Sequence, residues 1–375
     1  MVSAECGRIG LIMNEKVLMK GNEAFAEAAI RGGSRFYFGY PITPQNEIPE
    51  YMSRELPKHG GKFLQAESEL GAVNMAYGAG ASGGRVFITS SSPGIALMQE
   101  GMSFLSSAEV PLVVVNVSRG GPGIGGIQPG QADYLQATRG GGNGDYKIPV
   151  FAPSSIQEAV DLIYEAVELA DYWQNPIMIF TDGILGQMME PVVLPEPRPD
   201  LDLGDIRKQK PWALTGYGAD DANRNIVKSL RMIPDELEKH VEKMFAKYAR
   251  AEKELVRVET FGVEDAEIVF VAFGTVARIT MEAMDLLSDQ GVKAGLIRPI
   301  SLWPFPYDAF DLITAKTKVV ISTELSMGQL LQDVQIGVGK RFPIRLISRT
   351  GGIIPTSLEI AERASQILNE FRLQS

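Results

Sequence analysis

The chain has 375 residues, 45% of them hydrophobic and 22% charged, with a formal net charge of −10. That length suits two ordinary domains or three small ones with a sizeable core, and the acidic balance argues against wholesale nucleic-acid binding. No apolar run approaches a membrane span and the segment 9–13 is too short for a signal-peptide core, so a cytoplasmic protein is expected.

Residues 1–16 read as an extension, with Met13 an equally natural start. Asn22 can cap a helix running to about Arg31, closed by Gly32 and Gly33. A short apolar strand over 35–38 ends in the turn Tyr40-Pro41-Ile42-Thr43-Pro44. A second strand, 62–66, ends in the acidic pair Glu67 and Glu69 at the mouth of a small-residue helix. A third, 86–90, ends in Ser91-Ser92-Pro93-Gly94 and opens a helix to Ser107. The β-branched run 112–117 reads as a buried parallel strand and hands over to a glycine-dense stretch, 119–126, with another at 140–144. A strand over 148–151, a helix from Ser154 or Ser155 to about Ala170, and a strand over 177–181 follow. This alternation predicts a mostly parallel, doubly wound α/β sheet over 17–190.

From 191 to 263 the character changes. Residues 191–199 are proline-rich and 234–256 carry an amphipathic helical spacing, so a linker with one helix is expected. A second α/β domain is expected over 264–375. Its strands fall at 267–273, 292–298 (stopped by Pro299), 318–322 and 344–347, and its helices at 275–289, 327–340 and 355–373, with Pro355 suited to a first turn.

The residue inventory narrows the chemistry. One cysteine, Cys6, cannot form an internal disulfide or hold an iron–sulfur cluster. Two histidines far apart, His59 and His240, argue against a Ser-His-Asp triad or a histidine zinc site. What remains sits where strands hand over to helices, the side on which open α/β sheets bind ligands. Glu67 and Glu69 can serve a ligand there, or simply occupy a first turn where the helix dipole favours carboxylates. The two prolines of the 40–44 turn stiffen a loop that can hold the Thr43 hydroxyl, or make an ordinary proline turn. Arg119 can meet a carboxylate through a bidentate contact, or be a surface arginine. Gly121-x-Gly123-x-x-Gly126 formally fits a dinucleotide fingerprint, but Pro122 lies inside it and no phosphate-binding helix follows. There is no Walker A sequence and no kinase signature set.

Five motifs in order carry a resemblance: YPITP, then AESE-LGA-NMAYGA, TSSSPG-ALMQEG, SRGGPG and RPISLWPFP. Together they resemble the α subunit of the 2-oxoacid:ferredoxin oxidoreductases, from about Val17 to the C-terminus. The loop 119–134 and the GGGNGDY after it are most similar to the branched-chain type, which acts on 3-methyl-2-oxobutanoate. The resemblance implies a pyrimidine-binding thiamine diphosphate domain over 17–190 and a transketolase C-terminal-like domain over 264–375. Carried over, Glu69 would hydrogen-bond the aminopyrimidine and promote its imino tautomer, with Glu67 the runner-up. Thr43 would bond the substrate, within the substrate loop of Tyr40, Pro41 and Ile42. Arg119 would pair with the 2-oxoacid carboxylate, and Ser92, Pro93 and Gly94 would line the cofactor cleft. The family's Gly-Asp-Gly diphosphate motif does not occur here. The resemblance therefore implies that a β subunit supplies the diphosphate and Mg²⁺ half of the site, and that a γ subunit and a ferredoxin-like δ subunit complete an enzyme using coenzyme A and ferredoxin. The iron–sulfur clusters would sit on those partners. The same scaffold acting on 2-oxoglutarate, pyruvate or an aryl pyruvate, and a non-catalytic assembly subunit, are the alternatives.

Overall fold

A computed structural model of the chain describes residues 16–216 and 224–372. Most of the expected N-terminal extension, with Cys6 and Met13, lies outside the described residues. In chain order come β1 (Lys16–Lys20), α1 (Gly21–Arg31), β2 (Phe36–Gly39), α2 (Glu47–Glu55), β3 (Lys62–Gln65), α3 (Glu69–Ala81), β4 (Val86–Ser90), α4 (Ser92–Ser107) and β5 (Leu112–Ser118). These are followed by α5 (Tyr134–Arg139), β6 (Val150–Phe151), α6 (Ile156–Trp173), β7 (Pro176–Asp182), α7 (Gly183–Gln187) and β8 (Met189–Val193). After α8 (Leu203–Gln209), α9 (Pro234–Glu254) and β9 (Val258–Phe261) the second run contains β10 (Ile268–Val271), α10 (Gly274–Asp289), β11 (Ala294–Pro299) and β12 (Ser301–Trp303). It closes with β13 (Val319–Glu324), α11 (Gln329–Val338), β14 (Ile344–Ser348) and α12 (Ser357–Arg372).

The first sheet has the order β12-β6-β7-β5-β4-β2-β3 and is parallel except for β12. Every residue of β4, β5 and β7 is buried, as expected of parallel strands covered by helices on both faces. The second sheet has the order β14-β13-β10-β11-β9, parallel except for its edge strand β9.

Several expectations change. Asn22 does not cap α1. Lys20 takes that place, and the Asn22 amide, buried inside the helix, donates to Pro44 O at 2.8 Å and to Glu47 Oε2 at 2.7 Å. Ser155, not Ser154, caps α6, its hydroxyl accepting from the Glu158 amide. Ser154 instead bonds the Glu158 carboxylate. The proline-rich start of the linker enters β8, which pairs antiparallel with β1, and the linker's end forms β9. Pro299 is the last residue of β11, still paired with Val258 of β9. After it the chain crosses over, and β12 pairs antiparallel with β6 at the edge of the first sheet. Pro355 lies ahead of α12, whose first turn is capped by Thr356 Oγ1, accepting from the Glu359 amide at 3.1 Å.

The two sheets are locked together by buried polar groups. Arg298 is 3% exposed and donates to both oxygens of Glu158 at 2.9 Å, to Glu259 and to Ser154 Oγ. Asp333 of α11 is fully buried and accepts from Tyr134 Oη at 2.6 Å, from Arg139 Nη2 at 2.6 Å and from Tyr307 Oη. An unpaired buried charge is expensive, so these groups fix the position of α5 against α11.

Candidate active site

The sequence-derived residues fall along one edge of the first sheet, where β2, β3, β4 and β5 end. Parallel pairing sets them side by side. Gly39 is opposite Gln65, Ser90 is opposite Asn116, and Ser118 is opposite Asp182.

The acidic pair separates. Ser68 is extended, and its hydroxyl accepts the Gly71 amide, so α3 begins at Glu69. Glu69 turns inward and is 5% exposed. Its carboxylate receives one long hydrogen bond, from Ser90 Oγ to Oε1 at 3.4 Å, and no other among the described residues. It lies against the backbone of Gly94, the third residue of α4. A Cβ on Gly94 would stand 2.4 Å from Glu69 Oε1 and 2.0 Å from Ser90 Oγ, so only glycine lets the helix start approach this carboxylate. Glu67 is exposed on the outer side, over the first turn of α3 at Gly71.

Tyr40 and Pro41 are exposed and Ile42 and Thr43 half-buried. The loop is held from below. The amides of Asn22 and Gln187 both donate to Pro44 O at 2.8 Å. Gln45 accepts from the Thr89 hydroxyl at 2.5 Å, and Thr89 also bonds the buried Tyr37 hydroxyl at 2.8 Å. Burial pushes the Tyr37 hydroxyl well above its ordinary pKa. Among the described residues the Thr43 hydroxyl is bonded only by Asn46 Nδ2, at 3.3 Å, and so keeps its own proton to give.

Arg119 ends the buried strand β5 and is itself 7% exposed. Its Nη1 donates to Thr43 O at 2.9 Å and its Nη2 to Ile124 O at 2.7 Å, while Nε is buried without a partner among the described residues. The structure thus brings Arg119 and the Thr43 loop into contact. Backbone carbonyls occupy two of the five guanidinium N–H groups, and three remain. The glycine-rich loop beyond it returns along Arg119, with Gly120 N donating to Gln128 O at 2.8 Å. Gly125 has a φ of +56°, and a Cβ there would stand 1.7 Å from Gly120 O. Beside Thr43 opens a cleft of 460 Å³, walled by Pro44, Ile127, Pro129, Ile184 and Ile354.

The structure adds groups that the sequence reading missed. Ser92 Oγ faces Asp133 at 2.5 Å rather than open space, and accepts the Arg119 amide at 2.9 Å. Pro93 is half-buried in the first turn of α4. Asp182, buried at the end of β7, caps α7 through the Ile184 and Leu185 amides, and burial holds its carboxyl above the usual range. Ser91 Oγ is buried without a partner among the described residues. The only sequence signal for Asp133 is Gln-Ala-Asp-Tyr at 131–134, separated by four residues from the glycine-dense stretch.

These observations fit one half of a thiamine diphosphate site. A buried, under-partnered carboxylate faces a helix start into which a Cβ would not fit, with an unpartnered hydroxyl beside it. The fold and this edge define a thiamine-dependent α/β subunit. Residues 27–260 match the family model of the pyruvate flavodoxin/ferredoxin oxidoreductase thiamine diphosphate-binding domain, and 266–360 match core domain II of pyruvate:ferredoxin oxidoreductase. The ketoisovalerate oxidoreductase subunit VorB of Methanothermobacter thermautotrophicus is 43% identical over 94% of this chain and 98% of its own length. The 2-oxoglutarate synthase subunit KorA of Methanocaldococcus jannaschii is 36% identical over 92% of this chain and 98% of its own. Among solved structures, the 2-oxoglutarate:ferredoxin oxidoreductase of Magnetococcus marinus superposes with a TM-score of 0.82 at 26% identity, covering 98% of this chain and 68% of that one. A split-gene transketolase shares the fold, with a TM-score of 0.56 at 14% identity. The chain belongs to the 2-oxoacid:ferredoxin oxidoreductase family, as a thiamine diphosphate-binding subunit, in agreement with the five motifs.

Among the described residues no helix is long and apolar enough to cross a membrane.

Proposed function

We propose that this chain is the α subunit of a coenzyme A-acylating oxidoreductase that decarboxylates a branched-chain 2-oxoacid, 3-methyl-2-oxobutanoate, and passes the electron pair to ferredoxin. The products are the acyl-CoA, CO₂, reduced ferredoxin and a proton. The observation that carries the reading is Glu69, buried against Gly94 on the sheet edge that also holds Thr43 and Arg119. The choice of acid rests on the 43% and 44% identity to two ketoisovalerate oxidoreductase subunits, against 36% to the nearer 2-oxoglutarate synthase subunits.

Bound thiamine diphosphate supplies the carbanion and the electron sink for decarboxylation. Glu69 would hold the aminopyrimidine through its carboxylate. A buried carboxylate with one long hydrogen bond gains more from a new donor than a solvated one does. Arg119 binds the carboxylate of the 2-oxoacid with its free N–H groups, and its burial keeps competing water away. The Thr43 hydroxyl orients the keto oxygen. Gly94 lets α4 approach the cofactor, with Pro93 and Ser92 in its first turn. The site is a half-site. A β subunit supplies the diphosphate and Mg²⁺ half, and γ and ferredoxin-like δ subunits complete an enzyme whose iron–sulfur clusters lie on those partners. The working division of the chain is 17–190 for the pyrimidine-binding domain, 191–263 for the linker and 264–375 for the transketolase C-terminal-like domain. A cytoplasmic location follows from dependence on ferredoxin.

The test uses the chain co-expressed with its partner subunits. Viologen reduction is followed with 3-methyl-2-oxobutanoate, 2-oxoglutarate and pyruvate in turn, each with coenzyme A and thiamine diphosphate. The expected result is a strong preference for the branched acid in kcat/KM. Preference for 2-oxoglutarate would overturn the substrate, and equal activity of a Glu69→Ala complex would overturn the catalytic reading in favour of an assembly subunit.

A further inference from the structure

Asp133 lies between the glycine loop and α5, and its Oδ2 gathers three donors. Ser92 Oγ is at 2.5 Å, and Asn116 Nδ2 and Ser118 Oγ are each at 3.0 Å. Asn116 and Ser118 are alternate residues of β5 and so face the same way. Ser92 opens α4. One carboxylate oxygen therefore ties two strand–helix junctions of the candidate site to the return limb of the glycine loop.

The hydroxyl of Ser92 has a single proton and two possible acceptors, Asp133 Oδ2 at 2.5 Å and Arg119 O at 3.3 Å. The short contact to a carboxylate is the stronger, since charge-assisted bonds are roughly twice as strong as neutral ones. With its proton committed to Asp133, the Ser92 oxygen presents lone pairs to the Arg119 amide at 2.9 Å. Without Asp133 the hydroxyl proton turns to Arg119 O, and the Ser92 lone pairs rotate out of line with the Arg119 amide, which weakens that hydrogen bond. The opposite side of the same limb is pinned by Gln131, 1% exposed. Its side chain donates to Phe273 O at 3.1 Å and accepts from Leu325 N at 3.0 Å. Pro129 bridges back to Arg119. The limb is thus fixed to both sheets, and the backbone of Arg119 is fixed to the limb.

We infer that Asp133 is a positioning residue for Arg119, acting through the Ser92 hydroxyl to fix the guanidinium where it meets the 2-oxoacid carboxylate. This deepens the proposed function and rests on it.

The experiment uses the assembled complex and reads kcat and KM for 3-methyl-2-oxobutanoate, with a separate titration of thiamine diphosphate. Asp133→Ala is expected to raise KM for the 2-oxoacid by about tenfold, the size of a lost hydrogen bond to a charged group, while leaving the thiamine diphosphate titration in place. Asp133→Asn keeps an acceptor oxygen and is expected to recover most of that loss. In an Arg119→Lys background, Asp133→Ala is expected to add less than about threefold, because groups acting as one unit are not additive. Full additivity, or a loss confined to assembly and thermal stability, would overturn the inference. Where Asp133→Ala fails to assemble, Ser92→Ala carries the test. It keeps the Asp133 bonds to Asn116 and Ser118 and removes the hydroxyl that links Asp133 to the Arg119 amide, so an unchanged KM would overturn the inference equally. A wild-type complex that bound thiamine diphosphate but turned over no 2-oxoacid would refute the proposed function, and the inference with it.

Discussion

Gly94→Ala tests the heart of the site with a single methyl group. The added Cβ would stand 2.0 Å from Ser90 Oγ, 2.4 Å from Glu69 Oε1 and 2.7 Å from Glu69 Cδ. Carbon–oxygen contacts seldom fall below about 3.3 Å, so the carboxylate must retreat by about 1 Å or the helix start must lift. There is little slack. Ser90 belongs to a strand buried at every residue, and Glu69 is 5% exposed in the first turn of α3. Overpacking of this kind costs about 1–3 kcal/mol, which a chain of this size survives. A displacement of about 1 Å at a catalytic group costs about 100-fold in rate. The expected outcome is a folded, assembled complex with kcat/KM down by about 100-fold and a weakened thiamine diphosphate titration. Adding Ser90→Ala removes the shortest clash, and should recover stability without recovering activity, because the Glu69 clash remains. Wild-type turnover with an unchanged cofactor titration would show that Glu69 and the α4 start do not meet at the reacting site.

Arg298→Ala leaves Glu158 and Glu259 without their shared cation; their side chains reach solvent at 21% and 49% exposure. The expected destabilisation is therefore about 3 kcal/mol, the lower end for a broken buried pair, read by denaturant unfolding, and a cost under about 1 kcal/mol would refute its role at the seam. His240 of α9 has Nε2 2.7 Å from Ser107 O, with Glu109, Lys243 and Arg231 around it, and burial lowers its pKa. A depressed histidine pKa means that the unfolded chain takes up the proton first. Stability is complete above the unfolded value of about 6.5 and is lost as pH falls from there through the lowered folded value. His240→Gln should flatten that loss in thermal melts, and identical pH curves would refute it. Gly78 is an exposed residue of α3 with no heavy atom within 4 Å of an added Cβ. Gly78→Ala should stabilise the isolated chain by about 0.5–1 kcal/mol, and a lower melting temperature would contradict the open space seen there.

What could be read from sequence depended on the range of the interactions. β5 and β7 were legible because their apolar runs are a local consequence of burial on both faces. Helix ends were legible within a few residues, since caps such as Ser155 are local. The ribbon of β1 and β8 was not, because Lys16, Lys20 and Pro191 carry no strand signal and the pairing spans the whole first domain. β9 was hidden for the same reason, being an edge strand half-exposed along its length. At the candidate site, the positions of Glu69 and Arg119 were legible because each sits at a handover from strand to helix or loop. The residues alone did not separate Glu67 from Glu69, since the difference is set by where α3 starts: Ser68 caps it, Glu69 is its first residue and is buried, and Glu67 lies before the cap and is exposed. Asn22 read as a cap from its local context, but the group it serves is the carbonyl of Pro44.

The RPISLWPFP stretch makes the same point from the other side. It belongs to the motif set that identifies the family, yet it lies at the joint between the sheets, and among the described residues its side chains hydrogen-bond the joint rather than Glu69 or Thr43. Arg298 binds α6 of the first sheet and β9 of the second. Residues 301–303 add the edge strand β12 to the first sheet, and Tyr307 bonds the buried Asp333 that also receives Tyr134 and Arg139. Tyr134 follows Asp133 directly, and Gln131 is held by Phe273 and Leu325 of the second sheet. The joint therefore fixes the limb that fixes Arg119. The proposed substrate contact of Arg119 on the first sheet thus depends on packing supplied by the second, which gives a physical reason for both sheets to occur on one chain.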